Sequence, residues 1–507
     1  MPAHKIGVKE QSVTIKHQNF AGGKIPGGRS RFFLFGVLAT FLATFLCQAQ
    51  SDEAAGYGFA FERFQLTLEA GWRTEVAGPF FYSQQTEDGT VWALPPFFSS
   101  AHHPAVENHE ENFLYPLLTY ERYGQQYRWQ LFQLLSFAGG QESDDTTKKR
   151  FTIYPLYFQQ RSPNPADNYT ALVPFYGHIR NRLMISDVFF ILFPIYSETR
   201  KHGVVTDNYL YPMVHVRHGE GLRGWQVWPI VGSEHKVVTT QTNGFGDLVT
   251  NPGHDKSFFF WPIHLRQRTG MGTENPATFA AEMPFYAATR SPQRDSTTVL
   301  WPFFTWLDDR AKKYHEWEGP WPVVIFAHGE GKTTARVFPL FSQSHNAQQA
   351  TESYLWPLYQ HRQFSSTPLE QQRTQILLYL YASVVEKNLE TGAQKSRLDM
   401  WPFFTWRHDF NGNERLQVLA PIEPAVPNNR GIERNWSPLW SLWRAEANAK
   451  TGASSQSLLW NLYRRETAPA HKKTSILFGL FQYQCVGDSR RTRWFYFPAS
   501  ETRPVAK

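Results

Sequence analysis

The feature that most constrains this chain is a short aromatic–proline unit that keeps returning. Leu300-Trp301-Pro302-Phe303-Phe304-Thr305-Trp306 recurs almost unchanged as Met400-Trp401-Pro402-Phe403-Phe404-Thr405-Trp406. Weaker copies are Tyr154-Pro155-Leu156-Tyr157, Phe193-Pro194-Ile195-Tyr196, Trp261-Pro262-Ile263 and Trp356-Pro357-Leu358-Tyr359. Such a unit cannot lie inside a helix, where proline removes a hydrogen bond and clashes with the preceding turn. Aromatic residues make up 16% of the chain, an excess that suits the pleated surface of strands. The apolar runs recur at intervals of roughly 20 residues. Between them stand Glu87-Asp88-Gly89, Gly219-Glu220-Gly221, Gly329-Glu330-Gly331 and Asn411-Gly412-Asn413, residues that tolerate the positive φ of tight turns. The pattern predicts an all-β fold, a long antiparallel meander of about 20 aromatic-rich strands.

A longer period overlies the strands. His218-Gly219-Glu220-Gly221 after Tyr211-Pro212 is echoed by His328-Gly329-Glu330-Gly331 after Trp321-Pro322, and Trp228-Pro229-Ile230 by Phe338-Pro339-Leu340. We read about four copies of a five-strand unit of about 100 residues. With the proline as the strand centre, the flanking positions hold Trp301 and Phe303, Trp356 and Leu358, Trp401 and Phe403, Trp460 and Leu462. Alternate positions share a face, so one face is greasy. The other carries Pro302, Ser441, Asn461 and Gly479, then Tyr359, His264 and Arg266.

That asymmetry resembles outer-membrane β-barrels as a class of pattern, without a shared motif. Strands of about 12 residues, tilted by 45°, rise roughly 28 Å, enough for a bilayer. A closed barrel is therefore the first reading, with Trp494-Phe495-Tyr496-Phe497 as its closing strand. The alternative is a soluble β-repeat shell or stacked sheets. Three observations oppose the barrel: the doubly apolar run Val188-Phe189-Phe190-Ile191-Leu192-Phe193, which the alternative explains better, proline within paired strands, and the lack of long loops.

Residues 1–49 read as a basic leader and signal peptide, with the apolar core FFLFGVLATFLATFLC at residues 32–47 and cleavage after Ala49; residues 50–507 read as one β-repeat domain. Cys47 and Cys485 are the only cysteines, so no disulfide framework supports the fold. Charged residues are 19% of the chain and the net charge is +7. Its 51 Lys and Arg residues are spread along the chain, which argues against a nucleic-acid partner.

No catalytic, cofactor or metal constellation emerges. His215 and His218 fall on opposite sides of a strand, and Asp308-Asp309 and Asp144-Asp145 read as solvated turn charges. Gly329-Glu330-Gly331-Lys332-Thr333 lacks the earlier glycine and the helix of a phosphate loop. The candidate ligand contacts are Arg161, Arg266, Arg268 and Arg465, which share the face of the prolines, whereas Arg362 falls on the other. In a closed barrel they would point inward and attract anions. The sequence thus predicts an exported protein of the outer membrane or periplasm in a Gram-negative-type envelope, a barrel with a structural, channel or transport role and the membrane and anionic solutes as partners. A soluble exported glycan-binding module is second, and an enzyme third.

Overall fold

A computed structural model describes residues 56–141, 147–182, 185–242, 248–496 and 500–502. The leader and Asp144-Asp145 fall outside them. The described residues form an all-β antiparallel meander, 43 strands in one sheet, with a separate two-stranded hairpin of Thr239–Thr242 and Leu248–Asn251. Each strand pairs with its neighbours in sequence, apart from that hairpin, where Val231–Lys236 pairs directly with Gly253–Phe259.

Strand length and number differ from the sequence expectation. Most strands run 5–8 residues rather than about 12, and there are about twice as many. The aromatic–proline unit lies at a reversal and not at a strand centre: Leu300 to Phe303 forms the turn between Arg294–Val299 and Phe304–Asp309. Proline has no N–H to give to a ladder, so the position that looks like the middle of an apolar run is where pairing ends. The peptide bonds Trp301–Pro302, Trp356–Pro357 and Trp401–Pro402 are cis. The basic repeat is one hairpin pair, from one apolar turn to the next, of roughly 20 residues.

In a meander, alternate turns lie on opposite edges of the sheet. One edge therefore collects every apolar turn, such as residues 192–195, 260–263, 300–303, 355–358 and 477–480. The other collects the glycine, aspartate and asparagine turns, including His202-Gly203, Glu220-Gly221, Asp409 to Asn413 and Asn448 to Ala453. Leu355, Trp356 and Leu358 in one apolar turn are 54%, 46% and 44% exposed.

The two faces differ as sharply as the edges. Val299 pairs with Phe304, Thr297 with Trp306 and Asp295 with Asp308, all on one face. That face continues through Trp317 and Phe326, whose rings stack at 6.0 Å, and ends in His315 and His328 near the polar edge. It is exposed, aromatic beside the apolar edge and charged beside the other. The opposite face holds nearly all the buried strand residues: Phe158, Ala171, Ile179 and Phe190 in one cluster, Ala281 and Ala287 in another. It also holds the buried polar ones, among them Gln160, Ser197, Asn208 and Thr334.

Each of these clusters is drawn from consecutive strands of a single layer. Side chains on one layer bury each other when the sheet curls toward them, so the buried face is the concave one. Glycines relieve the crowding: a Cβ on Gly177 would lie 2.3 Å from that of Ala171, and one on Gly232 would lie 2.3 Å from the Phe258 ring.

Candidate functional site

The sequence singled out Arg161, Arg266, Arg268 and Arg465 as one set. All four are exposed on the aromatic-bearing face and Arg362 lies on the concave face, so the four do not line the concave side, where an inward-pointing set would stand. Only Arg266 and Arg268 come together, on the strand His264–Met271. Arg161 is spent on the sheet, donating to the carbonyls of Gln160 and Tyr169 and to the Thr170 hydroxyl. His215 and His218 do point to opposite faces, and Asp308 lies 3.1 Å from His315 on the exposed face. Among the described residues, no three His, Cys, Asp or Glu side chains converge as metal ligands.

The arginines that do converge are others. The concave faces of the first and last strands of the ribbon pack against each other. Thr67 Oγ1 donates to Ser455 Oγ at 2.6 Å, Asn461 Nδ2 to Glu75 Oε2 at 2.8 Å, and the Arg464 guanidinium lies 3.4 Å over the Phe64 ring. Phe59 meets Phe478 edge-on at 5.3 Å at the apolar edge. Among the described residues, the first strand, Phe61–Gln65, makes a ladder with Gly71–Val76 and a single bridge from Glu62 to Gly56, and no ladder with the last strands. The ends are thus joined by side chains, as a clasp.

One enlarged apolar turn completes the clasp. Between Glu414–Val418 and Trp443–Ala447 the chain spends residues 419–442 on two short helices, Arg430–Asn435 and Ser437–Trp440. Asn429 caps the first helix by accepting from Ile432 N, and its Nδ2 donates to the Tyr115 hydroxyl at 2.9 Å. Trp436 Nε1 donates to the Tyr115 carbonyl at 2.8 Å, and Arg434 pairs with Glu110 at 2.6 Å. A Cβ on Gly431 would lie 2.4 Å from the Tyr115 ring, so glycine is what lets the helix approach. Glu423, 2% exposed, accepts from Gln417 Nε2, Ser437 Oγ and Trp440 Nε1 and fixes the segment from within.

Between the clasped ends lies a slot of about 160 Å³ whose wall carries the guanidinium groups of Arg73, Arg415, Arg444 and Arg464 and the carboxylates of Glu69, Glu75 and Glu446. Arg73 is paired with Glu75 at 2.7 Å, and Arg464 with Glu466 at 2.6 Å. Glu433 has its carboxyl raised by burial, but Arg415 and Arg407 outweigh this and hold it below the usual range. Arg444 makes no ion pair among the described residues; burial, reinforced by Arg415 and Arg73 and opposed by Glu446 and Glu75, pushes it down to about 10.

Glu62, beside these groups, is pushed up to about 7 by burial, with Glu75 and Glu466 adding to the rise and Arg464 and Lys473 opposing it. Because its folded value exceeds the ordinary 4.5, the folded state holds the extra proton. Its contribution to stability is complete below about 4.5, and is lost as pH rises through about 7. Hydrogen exchange in Phe61–Gln65, corrected for intrinsic rates, should therefore be faster at pH 8 than at pH 5. Glu62→Gln should remove that difference; an equal pH response in the variant would assign it elsewhere.

The sequence carries a local signal of the clasp. Arg73-x-Glu75, Arg397-x-Asp399, Arg444-x-Glu446 and Arg464-x-Glu466 place opposite charges two apart, on one face of a strand, near both ends of the chain. The chain matches no protein-family model and no curated protein sequence.

Proposed function

We propose that this is an exported envelope protein that seats its apolar edge in the hydrocarbon of one membrane leaflet. The observation that carries this reading is the hydrogen bonding of that edge. In the turn at residues 355–358, Leu355 N donates to Leu340 O at 2.7 Å and Trp356 N to Pro339 O at 2.8 Å. Leu358 N donates to Leu355 O at 2.8 Å, and Pro357 has no donor to satisfy. Neighbouring turns repeat the link: Leu300 N to Phe285 O, Trp401 N to Leu380 O, Leu419 N to Phe403 O. Adjacent turns are thus stitched into a ladder whose outward side chains are large and apolar. Water would serve such N–H groups without help; an apolar phase would not. The aromatic band just above the edge suits the interfacial zone, where Trp and Tyr concentrate.

Strand length sets the depth. Six residues at about 3.3 Å reach about 20 Å, and only the half next to the apolar edge is greasy, against about 30 Å of hydrocarbon. The chain is read as a shallow, barrel-like ring held shut at its clasp, with a structural or transport role, and not as a spanning pore. The row of Trp306, Trp317 and Phe326, exposed at its two ends and half-buried at Trp317, favours a second reading, a soluble module stacking on glycans.

Washing cell envelopes with alkaline carbonate separates the two. The protein should stay with the membrane. Trp301→Ser, Phe303→Ser, Trp401→Ser and Phe403→Ser together should release most of it, since each truncation forfeits about 1.5–3 kcal/mol of apolar burial. Release of the unmodified protein would remove the membrane reading.

A further inference from the structure

We propose that the slot between the clasped ends of the ribbon is a binding site for a phosphate group, held by Arg444. Its wall carries four guanidinium groups against three carboxylates. Two of the four, Arg73 and Arg464, are already engaged with Glu75 and Glu466. Arg415 lies between Glu433, at 3.5 Å, and Glu446, at 3.7 Å. Among the described residues Arg444 alone of the four makes no ion pair, although Glu446 and Glu75 attract it from nearby. Its Nε is buried with no hydrogen-bond partner, and so is the hydroxyl of Ser441, which lines the same slot. A buried donor without an acceptor is costly.

The missing acceptor is an anion small enough for about 160 Å³. That is many times the roughly 10–15 Å³ of such space that one water needs, and is room for a phosphate group. A planar guanidinium offers paired N–H donors that match two phosphate oxygens, and the Ser441 hydroxyl offers another. Burial already lowers the affinity of Arg444 for its proton, so an added negative charge would relieve a strain that the protein's own carboxylates leave. Because the ligand would touch the wall formed by both ends of the ribbon, it would also tighten the clasp. The inference stands apart from the membrane reading: it uses only the concave face.

The group could arrive as free phosphate or as the headgroup of a phosphomonoester lipid. Isothermal titration of the full-length protein with inorganic phosphate, and separately with short-chain phosphatidic acid, distinguishes them. Binding of either ligand, weakened about tenfold or more by Arg444→Gln, is the expected result, as loss of a charge-assisted pair implies. Arg223→Gln, an exposed arginine on the other face, should leave binding unchanged. If Arg444→Gln does not fold, Arg444→Lys keeps the charge but loses the fork, and should still weaken binding several-fold. No binding of either ligand, or equal affinity in the Arg444 variants, would overturn the proposal.

Discussion

Replacing Arg464 by alanine is expected to free the first strands of the ribbon from the last, at a cost of roughly 3–5 kcal/mol. Arg464 is 7% exposed, and of its three contacts one crosses the clasp while the other two hold the guanidinium in place. It pairs with Glu466 at 2.6 Å, donates to Asn461 Oδ1 at 3.3 Å, and covers the Phe64 ring. Its removal leaves Glu62, Glu75 and Glu466 close together with less positive charge among them, and an uncompensated buried charge costs more than the pair contributed. The loss should be local, because a ribbon of neighbour-paired strands unfolds in parts. Amide exchange should rise in Phe61–Gln65 and Gly71–Val76, which belong to the clasp, and stay unchanged in Tyr381–Asn388, which does not. Unchanged exchange in the first two strands would mean that the contacts across the clasp contribute little.

Glu423→Ala should unfasten the other half of the clasp. The carboxylate serves Gln417, Ser437 and Trp440 together, and its Oε2 accepts from Ile422 N at 3.2 Å. Alanine would leave these donors facing a void. At about 1–3 kcal/mol for each group left unsatisfied, relaxation of the segment should limit the total to about 4 kcal/mol. Limited proteolysis reads this directly: new cleavage should appear within residues 419–442, with Glu423→Gln intermediate because one amide oxygen still accepts. If the alanine variant is as resistant as the parent, the segment is held by its contacts with Tyr115 and Glu110 instead.

Both outcomes bear on a clasp that joins residues more than 300 positions apart along the chain, such as Arg434 with Glu110 and Thr67 with Ser455. No local pattern announces such pairs. The i, i+2 charge alternation shows that Arg464 and Glu466 share a face, but not that this face meets Phe64. The same blindness made Arg465 the candidate, although its neighbour Arg464 is the buried one. A one-residue step exchanges faces, and only burial says which face is which.

What the sequence determined by itself was the all-β class, the spacing of roughly 20 residues between apolar units and the polar turns between them. These follow from local physics: proline and glycine fix where strands can run, and alternation fixes which residues share a side. The parity that groups Arg161, Arg266, Arg268 and Arg465 and excludes Arg362 was legible for the same reason. Only the tertiary structure decided that the prolines lie in turns, that all apolar turns share one edge, and that the face opposite the aromatic rows and the four arginines is the buried one. An apolar run around a proline has the same composition whether the chain passes through or reverses there, and the curl of the sheet depends on side chains several strands apart. The clasp depends on still more distant ones, because it exists only when the two ends of the ribbon have come round to meet.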